Sequence, residues 1–327
     1  MESKLYNIEE VYELIEQGDL LGLAGDEKVL SKLPKGNWIA GTIPYFMDID
    51  QALFTQEKIY VNKLSDKDSN FKIKTFDEND IDSLLDDSFE NGFSFIIIPA
   101  FQNVHSAYAL KMPNNTNLYN NPVVGWVSGV ELNSLDTPKI YNGLAGKSFE
   151  DQAVIAHIEL PKNKIGQLDI INIFKQDKKS PQIQFFIDSF EVVNCLIDDV
   201  EHNLAEYISK NNIDTKLPLI ADYTGASINV SIKEVDTDNG IVSFFAPVFE
   251  GKVYKFAAPI DNYVNEFEIN VKQLDHKNEF SCNCILNYLY GELEGKKINN
   301  VKGPITFGEI AYQLLNQTLV TLNIYET

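Results

Sequence analysis

Arginine is missing altogether: the 327 residues carry 27 basic side chains, and every one is lysine. Without a planar guanidinium fork, bidentate clamps on phosphate or carboxylate and arginine fingers are excluded. Cysteine is nearly as scarce. Cys195, Cys282 and Cys284 cannot all pair and their spacing carries no disulfide framework, which fits a reducing cytosol. Histidine is limited to His105, His157, His202 and His276, scattered singly. Apolar runs are short. The longest, from Phe95 to Phe101 and from Ile241 to Phe249, fall far below the roughly 20 residues that cross a bilayer as a helix. The N-terminus is acidic and has no apolar signal core, so nothing in it directs secretion and a cytoplasmic location is expected. Positive charge is in deficit as well: a net charge of −21 repels phosphate backbones and anionic membrane surfaces, so neither nucleic acid nor membrane is expected as a partner.

What the chain does have is material for a core. Hydrophobic residues make up 44% of it, enough to exclude global disorder, and the length exceeds what one core usually fills. Two halves are expected. Asn7 with Glu10 three residues later opens an amphipathic helix with a capping box, and Gly18 closes it. A short strand and helix fit Leu20 to Leu33 around Ala24-Gly25-Asp26-Glu27. Alternation marks strands at 58–64 and 71–76, an acidic helix at 77–90, and strands at 93–99, 122–130, 153–160 and 167–174. The polar stretch from Gln176 to Pro181 reads as a linker. Beyond it a helix is expected from Cys195 to Ser209, then a hairpin in which 226–235 and 241–248 flank Asp238-Asn239-Gly240. Strands at 252–256, 279–286 and 319–325 and a helix at 262–271 complete the pattern. The expected class is α+β: two β-rich halves, residues 1–176 and 182–327, with mostly antiparallel or mixed sheets covered by helices and packed as one unit.

Most chemical constellations have an ordinary reading. Asp198, His202 and Glu206 at i, i+4 and i+8 would share one helix face, but the apolar residues around them place that face in solvent. Asp77, Glu78, Asp80 and Asp82 suit a helix start and lack the glycine of a calcium loop. Cys282 and Cys284 flank Asn283 on a strand, share a face, and read as core. His157 reads as a core or edge histidine. No spacing supports a metal site, and no phosphate loop, nucleophile elbow or zinc-protease motif is present.

Four stretches stand out from generic core: Gly36-Asn37-Trp38-Ile39-Ala40-Gly41-Thr42, Pro122-Val123-Val124-Gly125-Trp126, Phe280-Ser281-Cys282 and Gly303 to Ile310. Their order resembles the FIST sensory-domain family, with its N- and C-terminal halves. Gly41-Thr42 stands where that family has a Gly-Cys-Ser-Thr-like turn, and Trp126 replaces a glycine. Ile285-Leu286-Asn287 stands where members often carry arginine, which puts anion recognition in doubt. The resemblance implies a cytosolic signal-input module that binds a small molecule, with amino acids the usual suggestion. Haem, known for some relatives, has no marked axial histidine here, and no cofactor is expected.

The resulting expectation is a stand-alone, non-catalytic ligand sensor that passes its signal to a separate protein. Its site would combine close-approach glycines and aromatic walls with a few polar contacts: Trp38, Gly41, Thr42, Trp126, Asn283, Thr306, Glu309 and Tyr312. Glu309 would anchor an amine or hydroxyl. Two alternatives stand beside it: an enzyme using Cys282, Cys284 or Glu309, and an acidic protein-interaction scaffold.

Overall fold

The computed structural model describes residues 3–48, 50–223, 225–271, 279–297 and 301–327; His276 lies outside them. The fold is strand-rich α+β with several sheets, none of them closed. The chain forms two compact units. One comprises Met1–Ile171, Glu268–Leu314 and Leu319–Thr327; the other comprises Asn172–Phe267 and Leu315–Thr318. The units therefore do not divide the chain as 1–176 and 182–327. The cause is long-range pairing: strand Leu319–Glu326 runs antiparallel to Lys164–Ile171 along eight residues and to Phe280–Cys284 on its other side. This pairing returns the C-terminal strands to the N-terminal unit.

Within the larger unit three sheets matter. In the first, Leu20–Gly25 and Trp38–Thr42 are parallel neighbours, flanked by Ile59–Ser65 and Ile140–Asn142. In the second, Gly92–Pro99 and Val123–Ser128 are parallel, with Ala153–Glu159 on one side and Glu309–Ala311 on the other. The third holds the parallel pair Phe280–Cys284 and Gly303–Thr306. Every residue of 20–25, 38–42, 92–99 and 123–128 is buried, as parallel strands with both faces covered require.

The helix Ile8–Glu16 starts with the expected capping box: the Asn7 N–H donates to Glu10 Oε2 at 2.8 Å, and Gly18 follows at φ 85°. Its Val11 and Ile15 pack with Leu21, Leu23, Trp38 and Val61. The helix Asn103–Lys111 buries Val104 and Tyr108 against Ile96, Ile98 and Ile155.

Three expectations are corrected. Residues 195–209 are not one helix: Asn194–Ile197 and Val200–Asn203 form a hairpin, and only Leu204–Lys210 is helical. Asp198 and Asp199 both adopt left-handed backbone, at φ 47° and 66°, and a two-residue turn of that hand matches strand twist. Asp198, His202 and Glu206 consequently lie on a turn, a strand and a helix start and share no face. Residues 77–90 hold only a 3₁₀ turn at Ile81–Ser83, because Asp77 and Asp80 side chains bond neighbouring backbone N–H groups and compete with helix propagation. The strand expected at 279–286 ends at Cys284, where the helix Ile285–Tyr290 begins. In the smaller unit the Asp238-Asn239-Gly240 hairpin is present, joining Ile232–Asp236 to Ile241–Val248, while Ala226–Val230 pairs instead with Leu219–Tyr223.

Candidate functional site

Where strands 20–25 and 38–42 end, the chain opens a cleft with a cavity of about 170 Å³. Its walls are Asp26, Glu27, Lys28, Thr42, Ile43, Pro44, Gln56, Gly129, Val130, Glu131 and Asp136. The carboxyl ends of parallel strands are where open α/β sheets place ligands, because the chain must leave the sheet there and its loops splay apart. Strand 123–128 also ends at this cleft, so both parallel pairs of the first two sheets contribute.

Thr42 joins the pieces. Its N–H donates to Lys139 O (2.9 Å) and its carbonyl accepts from Gly129 N–H (2.8 Å). Its hydroxyl accepts from Lys139 N–H at 2.9 Å. Thr42 is one of the expected site residues, and its hydrogen bonds shape the cleft. The loop after strand 123–128 is fixed by the Leu132 N–H donating to Tyr45 Oη at 3.1 Å, and by Ser134 Oγ donating to Asp136 Oδ2 at 2.6 Å.

Electrostatically the lining carries four carboxylates and one ammonium. Asp26 is largely committed to its own helix turn, accepting from Lys28 N–H at 2.9 Å. Glu27 pairs with Lys139 at 2.6 Å, and this bond, opposed by burial, holds the Lys139 pKa above the usual lysine range. Lys28 Nζ donates to Gln56 Oε1 at 2.7 Å, and Gln56 Nε2 reaches Glu131 Oε2 only at 3.5 Å. Glu131 is half-buried and Asp136 exposed, so these two acids are the ones best placed to meet an incoming cation.

The other expected site residues sit elsewhere. Trp38 is buried in the core under the first helix and donates Nε1–H to Pro34 O at 2.9 Å. Gly41 and Trp126 do meet. A Cβ on Gly41 would lie 2.7 Å from the Trp126 ring and 2.6 Å from Ile97, so the close approach permitted here is to the protein's own packing. Tyr312, at φ 65°, packs its ring against Tyr119 at a tilt of 46°, and its carbonyl accepts from Tyr108 Oη at 2.7 Å.

Asn283, Thr306 and Glu309 are brought together, but in the interior. Glu309 is wholly buried opposite Trp126 in the ladder, with Thr306 Oγ1 at 3.5 Å from its carboxylate. Asn287 Nδ2 donates to Asn283 Oδ1 at 2.8 Å. Cys282 belongs to the same cluster, its thiol 3.5 Å from Gly125 O. Burial first, then the Glu309 and Cys284 charges, pushes that thiol pKa well above the ordinary cysteine value, the reverse of what a nucleophile needs. Among the described residues, no group of three or more His, Cys, Asp or Glu side chains could hold a metal ion.

Sequence reasoning missed Asp26, Glu27, Gln56, Glu131 and Asp136. The one available signal was the break Gly25-Asp26-Glu27 directly after an all-apolar strand, a strand-to-helix turn of the kind that forms a cleft edge. Glu131 and Asp136 lie in an ordinary polar loop and carry no motif. No curated protein matches the chain at a significant level. A family of unknown function, DUF6976, matches residues 6–325, nearly the whole length, and the chain belongs to that family.

Proposed function

We propose that the protein is a non-catalytic small-molecule sensor whose cleft at Thr42, Glu131 and Asp136 takes an amine-bearing ligand. The observation that carries this reading is the lining of the cavity, where four carboxylates stand with Lys28, Lys139 pairing with Glu27 from beside the lining, so that Glu131 and Asp136 carry no ion pair among the described residues. Two carboxylates on one cleft edge, one half-buried and one exposed, favour an ammonium donor over any anion, and with no arginine in the chain there is no fork to hold an acid. Size narrows the class. A cavity of about 150 Å³ holds one benzene-sized molecule, so 170 Å³ fits a ligand the size of a short diamine or a small amino acid.

The likeness to FIST sensory domains supports the sensor part of the reading, and with it a cytoplasmic location and a separate signalling partner. Cys282, buried and with burial pushing its thiol pKa up, weighs against the form of the enzyme alternative that uses it. Among the described residues no helix is long and apolar enough to cross a membrane.

A thermal-shift panel of diamines, monoamines, amino acids and dicarboxylates tests the proposal. Stabilisation by amines, with none from dicarboxylates, is expected. Stabilisation by dicarboxylates alone would reject it.

A further inference from the structure

The sequence contains three Asn-Gly pairs, Asn91-Gly92, Asn142-Gly143 and Asn239-Gly240. Each is chemically prone to the same reaction, because a following glycine has no Cβ to shield its nitrogen from the asparagine side chain. The fold treats the three differently.

Asn91 is anchored by its amide: Nδ2 donates to Leu160 O (3.0 Å), Pro161 O (3.0 Å) and Lys164 O (3.2 Å). Gly92 is buried and sits in the ladder opposite Glu159. Asn142 is buried on strand Ile140–Asn142, with Oδ1 accepting from Ala145 N–H at 3.0 Å. The attacking nitrogen of that pair is also occupied, since Gly143 N–H donates to Trp38 O at 2.8 Å. Asn239 is exposed at the tip of the hairpin between Ile232–Asp236 and Ile241–Val248, next to Gly240 at φ 69°. Its amide is held within its own turn, by Nδ2 donating to Asp236 Oδ2 at 2.7 Å.

We propose that Asn239 is the site of spontaneous deamidation in this chain and that Asn91 and Asn142 are protected from it. A base in solvent removes the Gly240 amide proton, and the nitrogen forms a bond to Asn239 Cγ. The Cγ–Nδ2 bond breaks, and the nitrogen leaves as ammonia after taking a proton from water. The resulting succinimide adds one water at either carbonyl, giving aspartate or isoaspartate. The net change is amide plus water to carboxylic acid plus ammonia, with no oxidation or reduction.

The product alters the turn. The side-chain bond from Asn239 is the largest cause holding the Asp236 pKa below its ordinary range, and deamidation replaces that donor with a third carboxylate beside Asp236 and Asp238. The isoaspartate form also lengthens the main chain by one methylene. Gly240 O accepts from Asn203 Nδ2 at 2.9 Å, and Asn203 Oδ1 caps the helix Leu204–Lys210 through Glu206 N–H, so the disturbed turn abuts a helix cap.

The test is to incubate the full chain at mildly alkaline pH, digest samples over time, and map mass and isoaspartate content by peptide. The account expects the Asn239 peptide to convert to acidic forms while the Asn91 and Asn142 peptides persist unchanged. Asn239→Gln, which cannot close the five-membered ring readily, should remove most of the acidic species and leave the far-ultraviolet spectrum unaltered. Conversion of Asn91 or Asn142 as fast as Asn239, or persistence of Asn239 after the other two have reacted, would overturn the proposal.

Discussion

Two acidic places in the larger unit have opposite characters. Glu309 is completely buried, inside a ladder and beside Thr306, Asn283 and Cys282. Glu131 and Asp136 sit at the edge of a cleft, on a loop held by Tyr45. The sequence motifs point to the first and are silent on the second. The difference teaches that glycines and tryptophans in conspicuous motifs report where backbones and rings are packed tightly, whereas the cleft is assembled from polar residues at strand ends that have no distinctive spacing.

The interior side of that contrast is tested most severely at Gly125. A Cβ there would lie 1.8 Å from Ile96 O on the neighbouring parallel strand. Gly125→Val should cost about 4 kcal/mol or more and leave little folded protein, as read by urea denaturation. A change within about 1 kcal/mol would show that the strand pair yields easily.

His157 offers the next largest effect. It is wholly buried, with Nδ1 2.8 Å from Ser94 Oγ, and burial, with the nearby Asp87 charge opposing, depresses its pKa from 6.5 to about 4. The unfolded imidazole takes up a proton near pH 6.5 while the folded one resists until about 4, so across that window the unfolded state binds more protons. Stability should therefore fall as pH drops from 6.5 to 4 and lose nothing further from this group below that. The full loss is about 3 kcal/mol. Urea melts of wild type and His157→Gln across that range should differ in slope, and parallel curves would exclude the histidine as the source.

Glu309→Gln sharpens the comparison directly. It should lower stability by roughly 1–3 kcal/mol, because a buried carboxylate acceptor beside Thr306 Oγ1 is exchanged for a weaker amide acceptor. The amine response should persist. Glu131→Gln and Asp136→Asn should do the reverse, shifting stability by less than about 0.5 kcal/mol while weakening the response. A small effect is also expected at the rim pair Lys139–Glu27, whose side chains are 22% and 46% exposed. Lys139→Met should cost under about 1 kcal/mol and less in high salt.

Local signals in the sequence were legible where they determine local structure. The Asn7–Glu10 capping box and the Asp238-Asn239-Gly240 hairpin both appear in the structure, as do the strand cores at 93–99, 153–159 and 319–325. The helix expected at 195–209 failed because the apolar spacing there fits two short strands as well as a helix. Only the left-handed Asp198-Asp199 turn decides between them. The grouping of the C-terminal strands with residues 1–171 depends on pairing across some 150 residues, which no window of sequence displays. Of the eight expected site residues, Thr42 alone lines the cleft. The carboxylates beside it come from two segments far apart in sequence, Asp26-Glu27 and the loop carrying Glu131 and Asp136, and only the folded register brings them together.

The central claim, that the acidic cleft binds an amine, is tested most directly by isothermal titration of 1,4-diaminobutane into three proteins: wild type, the Glu131→Gln/Asp136→Asn double variant, and Glu309→Gln. The account predicts saturable binding to wild type with a Kd of about 10 μM to 1 mM, as suits so small a ligand. It predicts similar binding to Glu309→Gln and at least about a tenfold loss in the double variant, the worth of one charge-assisted hydrogen bond. Binding that survives in the double variant and vanishes in Glu309→Gln would contradict it and return the site to the buried cluster.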